Sequence, residues 1–192
     1  EQNKRISSCN RNTIPCFIIL IYPYFIRLTQ CVNKLYYTRL IWPHFGNFMK
    51  YLGAIINTVL TWVYSKHKNK TLKCIQITFA TLAQCYLLFW DVYVDWGLVR
   101  VNNVNWLLRE KIIFHKIFYY LAIIFDAFVR FNWTWSYINI DEGLDEWENL
   151  LQAGLEIIRR GIWGIIRVEN EMITNPENYR SILTIVAFIE DE

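Results

Sequence analysis

Apolar residues come in long blocks along this chain, and polar residues punctuate the blocks instead of alternating with them. That pattern predicts helices, because a strand with one solvated face needs alternation at period two. Five blocks can be marked. The first is Thr13 to Val32, where Pro23 predicts a kink. The second runs from about His44, just after Pro43, to Tyr64, and is closed by three lysines in the five residues Lys66 to Lys70. The third, Leu72 to Trp90, is the cleanest, with nineteen residues and Lys73 as its single charge. That length matches the roughly 20 residues needed to cross a hydrocarbon core. The fourth, Ile112 to Ile138, is long enough to span with tilt, and the fifth runs from about Leu150 to Ile166. A last apolar run, Ile182 to Phe188, is too short to span and is expected to pack at the bundle surface. The predicted fold class is all-α, a polytopic transmembrane helical bundle with about five spanning helices. Seven Gly, four Pro and no regular alternation argue against a β-barrel.

Composition strengthens the membrane reading. Hydrophobic residues make up 54% of the chain and aromatics 17%, an apolar share above that of ordinary soluble domains. The mean hydropathy of +0.16 is nevertheless modest, so polar side chains must lie inside the apolar blocks as well as between them. A net charge of +3, from 20 Lys plus Arg against 17 Asp plus Glu, gives no field suited to nucleic acid. Cys9, Cys16, Cys31, Cys74 and Cys85 show no paired spacing and read as small buried hydrophobes. His44, His67 and His115 lack metal-ligand spacing. No nucleophile, base and orienting group stand at a recognisable spacing, so the chain is read as a non-enzyme without cofactor, metal or catalytic residues. It starts at Glu1 and is read as a piece of a longer protein.

Orientation is predicted from the connections. Asn139 to Asn149 carries five acidic residues and no basic one, so the positive-inside rule places it outside. Alternating spans then put Gly97 to Lys111, with Arg100 and Arg109, inside. The same alternation places Lys66 to Lys70 outside, against the rule.

The charges within the blocks carry the chemistry. An ionised side chain at the centre of a spanning helix costs about 2.5 to 3.5 kcal/mol on insertion scales, yet Arg27, Lys50, Asp91, Asp126, Arg130, Glu156, Arg159 and Arg160 all lie in or at the edges of apolar blocks. They are expected to face a bundle interior or a wet cavity. Asp126 with Arg130, and Glu156 with Arg159 and Arg160, have the three- and four-residue spacing of pairs on one helix face. Asp91 and Asp95 share a face without a local base, and Arg27 and Lys50 are the cations available to them. Arg159 and Arg160 share a turn with one carboxylate; with Arg130 and Lys50 added, cations exceed acids. A dry interior does not tolerate such a surplus, whereas an oxyanion would compensate it. Guanidinium forks match phosphate or carboxylate oxygens, and Lys50 supplies a mobile point charge. Trp133, one turn beyond Arg130, is placed to stack on a guanidinium, and Tyr51 to donate a hydrogen bond to an anion. Other aromatics, among them Trp62, Trp106 and Tyr119, are read as interface belts or packing. Ion pairs that merely lock helices together are the alternative, and residue spacing leaves both readings open.

An ordered series of landmarks then narrows the field: Arg27 with Gln30 and Cys31, Pro43-His44 with Asn47 and Lys50-Tyr51, Trp90-Asp91 with Asp95-Trp96-Gly97-Leu98, and Arg130-Phe131 with Trp133. It continues through Glu156, Arg159-Arg160, Trp163, Arg167 and Glu169-Asn170-Glu171. From about Tyr22 to Arg180 the chain resembles the EXS domain of the SPX-EXS phosphate exporters, the family of the xenotropic and polytropic retrovirus receptor. The resemblance implies a flanking segment over 1–12, an EXS membrane domain over 13–180 and a tail over 181–192. It implies export of inorganic phosphate, with Lys50, Tyr51, Asp91, Arg130, Trp133, Glu156, Arg159 and Arg160 lining the route and Arg27 near it. Trp163 to Glu171 is then the end of the last span, where Arg167 snorkels to the cytosol. Implied partners are phosphate, membrane lipid and a second copy in a homodimer. Inositol polyphosphates are expected to act only through an SPX domain outside these 192 residues. The location implied is the plasma membrane or the Golgi membrane. A non-transporting scaffold or Golgi sorting protein, with structural interhelical ion pairs, is the alternative function.

Overall fold

A computed structural model describes residues 14–99, 107–134 and 146–174. They form helix α1 (Ile14–Thr38), α2 (His44–His67), α3 (Lys70–Phe89), a π-helical turn (Trp90–Asp95), α4 (Lys116–Phe131) with a 3-10 turn (Asn132–Thr134), and α5 (Glu146–Thr174). No strand occurs among the described residues, in keeping with the predicted all-α class. Ile14–Thr38 and Lys70–Asp95 are long and apolar enough to cross a membrane. The acidic connection up to residue 145, Trp106 and the run Ile182 to Phe188 lie outside the described residues, while residues 146–149 already belong to the first turn of α5.

Two compact units make up the chain, divided between Leu87 and Leu88. In the first, α1 and α2 pack along each other, with Phe17 and Trp62 in contact at 4.9 Å between ring centroids and Cys31 and Gly46 buried. The helix α1 continues through Pro23 and reaches Thr38, beyond the expected end at Val32. Lys68 closes α2 in the left-handed conformation, donating its N–H to Tyr64 O at 2.8 Å. The side chain of Asn69 then accepts from Thr71 N at 3.1 Å and starts α3, the capping role that suits a short polar side chain. Tyr86 of α3 donates to Gly46 O of α2 at 2.9 Å.

The second unit is organised by the π-turn. Trp96 N donates to Asp91 O at 2.9 Å, five residues back, and the widened turn shifts the phase of the chain by one position. Gly97 then takes φ +63°, and a Cβ there would sit 2.6 Å from Asn170 Oδ1. Both constraints leave glycine as the residue that fits. The core around it joins Val92, Trp96, Leu98, Leu108, Tyr119, Ala122 and Ile166.

Two expected boundaries change in this unit. The helix α4 begins at Lys116 rather than Ile112, because the preceding backbone is held by side chains: Ile113 N donates to Glu169 and Phe114 N to Tyr119. Helix α5 runs to Thr174, well past Ile166, because its polar end is buried and bonded rather than solvated. On α4 the polar residues Tyr119, Asp126 and Arg130 point inward while Ile117, Leu121, Ile124 and Phe128 are exposed. An apolar outside around a charged inside is the arrangement a bundle takes in lipid.

Candidate functional site

Among the described residues of the second unit are two ionic clusters, one on either side of the turn between Asp91 and Asp95. The first joins α4, α5 and the π-turn. Arg130 contacts Asp91 Oδ2 through Nη2 and Asp126 Oδ2 through Nε at 3.1 Å. Arg159 Nη1 lies 2.8 Å from Asp126 Oδ1 and 3.5 Å from Asp91 Oδ2. The other edge of the same guanidinium grips Glu156, with Nε and Nη2 each 2.8 Å from a carboxylate oxygen. Arg160 Nε donates to Glu156 Oε1 at 2.7 Å. Asp91, Asp126 and Arg159 are buried, whereas the Arg160 side chain is 73% exposed.

The structure therefore brings together Asp91, Arg130, Glu156, Arg159 and Arg160, with Trp133 half-buried on the 3-10 turn that follows α4. Arg27, Lys50 and Tyr51 belong to the first unit. There Arg27 is exposed and donates to Gln30 Oε1 at 3.3 Å, and Lys50 Nζ stands 5.4 Å from the Tyr51 ring centroid. Within the second unit, Asp91 meets Arg130 and Arg159, and Asp95 meets Arg167. Among the described residues of this cluster, Arg130, Arg159 and Arg160 meet Asp91, Asp126 and Glu156. Asp126 serves α5 as well as its own helix.

Sequence reasoning missed the second cluster. Arg109 is buried, with Nη2 2.5 Å from Glu169 Oε1, Nη1 donating to Trp96 O at 3.0 Å and to Asn170 Oδ1 at 3.2 Å, and Nε to Lys111 O at 3.0 Å. Tyr119 OH donates to the same Glu169 oxygen at 2.5 Å, and Asn170 Nδ2 to Asp95 O at 3.0 Å. Arg167 pairs with Asp95 Oδ1 at 2.9 Å. One signal was available. Continuing the Arg159 face along α5 in helical steps passes Trp163 and Ile166 and arrives at Asn170. Nothing local marks Arg109, whose burial depends on a carboxylate sixty residues away.

Fold and site together define a class: a helical membrane bundle whose interior is held by shared arginine–carboxylate pairs. The family model described as "EXS family" matches residues 1–173, and the chain belongs to that family. It is 33% identical over 172 residues to "Phosphate transporter PHO1 homolog 4" of Arabidopsis thaliana, covering 88% of this chain and 23% of the relative. It is 32% identical over 177 residues to "Xenotropic and polytropic retrovirus receptor 1 homolog" of Xenopus laevis, covering 86% and 26%. Against "Solute carrier family 53 member 1" of Mus musculus it is 31% identical over 176 residues, covering 86% and 25%. The chain spans about a quarter of the length of these relatives.

Proposed function

We propose that this chain forms part of a pathway that exports inorganic phosphate across a membrane, with Arg130, Arg159 and Arg160 as its cationic wall. The observation that carries the reading is the placement of Arg160. Its guanidinium is exposed on a face of α5 that also exposes Ile157, a setting in which lipid alone offers no counter-charge. A tetrahedral oxyanion meets that need. Arriving at Arg160, it competes with Glu156 for the guanidinium, and the bidentate grip of Arg159 on Glu156 positions that carboxylate to limit how tightly the anion is held. Conduction requires this compromise between entry and release. The phosphate-transporter names of the relatives support the choice of substrate.

Phosphate efflux from vesicles carrying the full-length protein tests the proposal. Arg160→Ala is expected to abolish most efflux while the protein still folds. Wild-type efflux from a well-folded Arg160→Ala protein defeats it.

The pairing of Arg130, Arg159 and Arg160 with carboxylates favours a second reading, in which the pairs are structural and the chain is a membrane scaffold or sorting protein. Exchanging Glu156 and Arg160 separates the two. A scaffold keeps folding and function after the exchange, because the pair is preserved, whereas a phosphate route loses transport when its exposed cation becomes an acid.

A further inference from the structure

Every acidic residue after Glu1 lies at Asp91 or beyond, so residues 2–90 contain none. The turn between α1 and α2 concentrates what that segment offers instead. The helix α1 ends at Thr38, and Arg39 follows at φ 57°, its N–H donating to Leu35 O at 3.1 Å. Leu40, Ile41 and Trp42 then cross to Pro43 outside helical geometry, exposed by 60%, 71% and 56%. Tyr36 and Tyr37 are exposed as well, Arg39 lies over the Tyr36 ring at 5.4 Å, and Lys34 is exposed one turn earlier.

Three consecutive large apolar side chains exposed in a turn are costly in water. Non-helical backbone is equally costly in hydrocarbon, where its polar groups find no water. The headgroup layer resolves both, since apolar side chains reach the acyl boundary there while the backbone stays hydrated. Tyr and Trp are enriched at that depth. Two bases without an acid add a preference for anionic headgroups over zwitterionic ones.

We infer that the Lys34–Trp42 turn is a membrane-interface site that takes acidic phospholipid, with Trp42, Leu40 and Ile41 seated at the acyl boundary and Lys34 and Arg39 on the headgroup phosphate. It does not depend on what the bundle transports.

The test uses the full-length protein in bilayers of phosphatidylcholine mixed with brominated phosphatidylserine or brominated phosphatidylcholine. Fluorescence of the wild type minus that of Trp42→Phe isolates the Trp42 signal. Brominated phosphatidylserine is expected to quench that signal about fivefold more effectively than the phosphatidylcholine analogue at equal mole fraction. In Lys34→Gln/Arg39→Gln the preference disappears while quenching persists. Absence of quenching by either lipid shows that another protein segment covers the turn, and equal quenching in the wild type shows that the basic pair selects nothing; each outcome overturns the inference. An unchanged thermal unfolding midpoint of Trp42→Phe serves as the check that the reference protein is intact.

Discussion

Arg159 on α5 and Asp126 on α4 meet at 2.8 Å in the buried interior of the second unit, 33 residues apart in sequence. Asp126 also holds Arg130 at 3.1 Å, so one carboxylate fixes two arginines on two helices. The contact decides how the other charges behave: with Asp126 between them, Arg130 and Arg159 are structural as well as cationic.

Removing that carboxylate's charge is the most damaging change expected. Asp126→Asn leaves Arg130 Nε and Arg159 Nη1 facing a neutral amide in a buried site, and breaking a buried pair costs about 3 to 5 kcal/mol. Thermal unfolding of the purified full-length protein in detergent should show a large fall in midpoint. An unchanged midpoint refutes the shared-carboxylate account.

Arg160 and Arg159 should separate stability from transport. Arg160 shares one carboxylate and is 73% exposed, so Arg160→Ala is expected to change stability by no more than about 1 kcal/mol. Efflux should nevertheless be lost. Arg159→Ala, which leaves Asp126 with Arg130 alone and Glu156 with Arg160 alone, should lower both the unfolding midpoint and efflux. Equal stability loss in the two variants contradicts the assignment.

Gly97→Ala combines two penalties. The residue sits at φ +63°, and the added Cβ meets Asn170 Oδ1 at 2.6 Å. A destabilisation of about 1 to 3 kcal/mol is expected from strain of this kind. Asn170→Ala added to Gly97→Ala should not restore stability, because it frees space yet leaves the dihedral unchanged and removes the bond to Asp95 O. Unfolding midpoints of the two variants check this.

In the second cluster the order of effects should follow charge. Tyr119→Phe removes one hydroxyl from Glu169 and leaves Arg109 paired, a loss of about 0.5 to 3 kcal/mol depending on how far the carboxylate is charged. Glu169→Gln should cost more, since Arg109 then stays buried against a neutral partner. Hydrogen exchange of the amides of Ile113 and Phe114, which bond to Glu169 and Tyr119, should accelerate in both variants. Protected amides in Glu169→Gln count against the network.

Much of the bundle was legible because insertion into lipid is a local cost. The blocks at Thr13, His44 and Leu72 correspond to α1, α2 and α3 to within a few residues at their starts, since length and apolarity alone decide whether a segment crosses. The pairing of Glu156 with Arg159 and Arg160 was equally readable, because three- and four-residue spacing on a helix brings such side chains together.

Cross-helix partners were not readable in the same way. Asp126 is four residues from Arg130, and that spacing alone accounts for it; its second duty toward Arg159 exists only once α4 and α5 pack. Asp95 meets Arg167, 72 residues away, at the end of a π-turn that changes the phase of the chain. A one-residue shift of this kind leaves no mark in hydropathy. Hydropathy and spacing are enough to turn the charged helix faces inward and the apolar surface outward, since every ion in a spanning segment needs a partner. Which carboxylate serves which arginine follows only from packing, because partner choice depends on distances of a few ångströms between helices that the chain brings together from far apart.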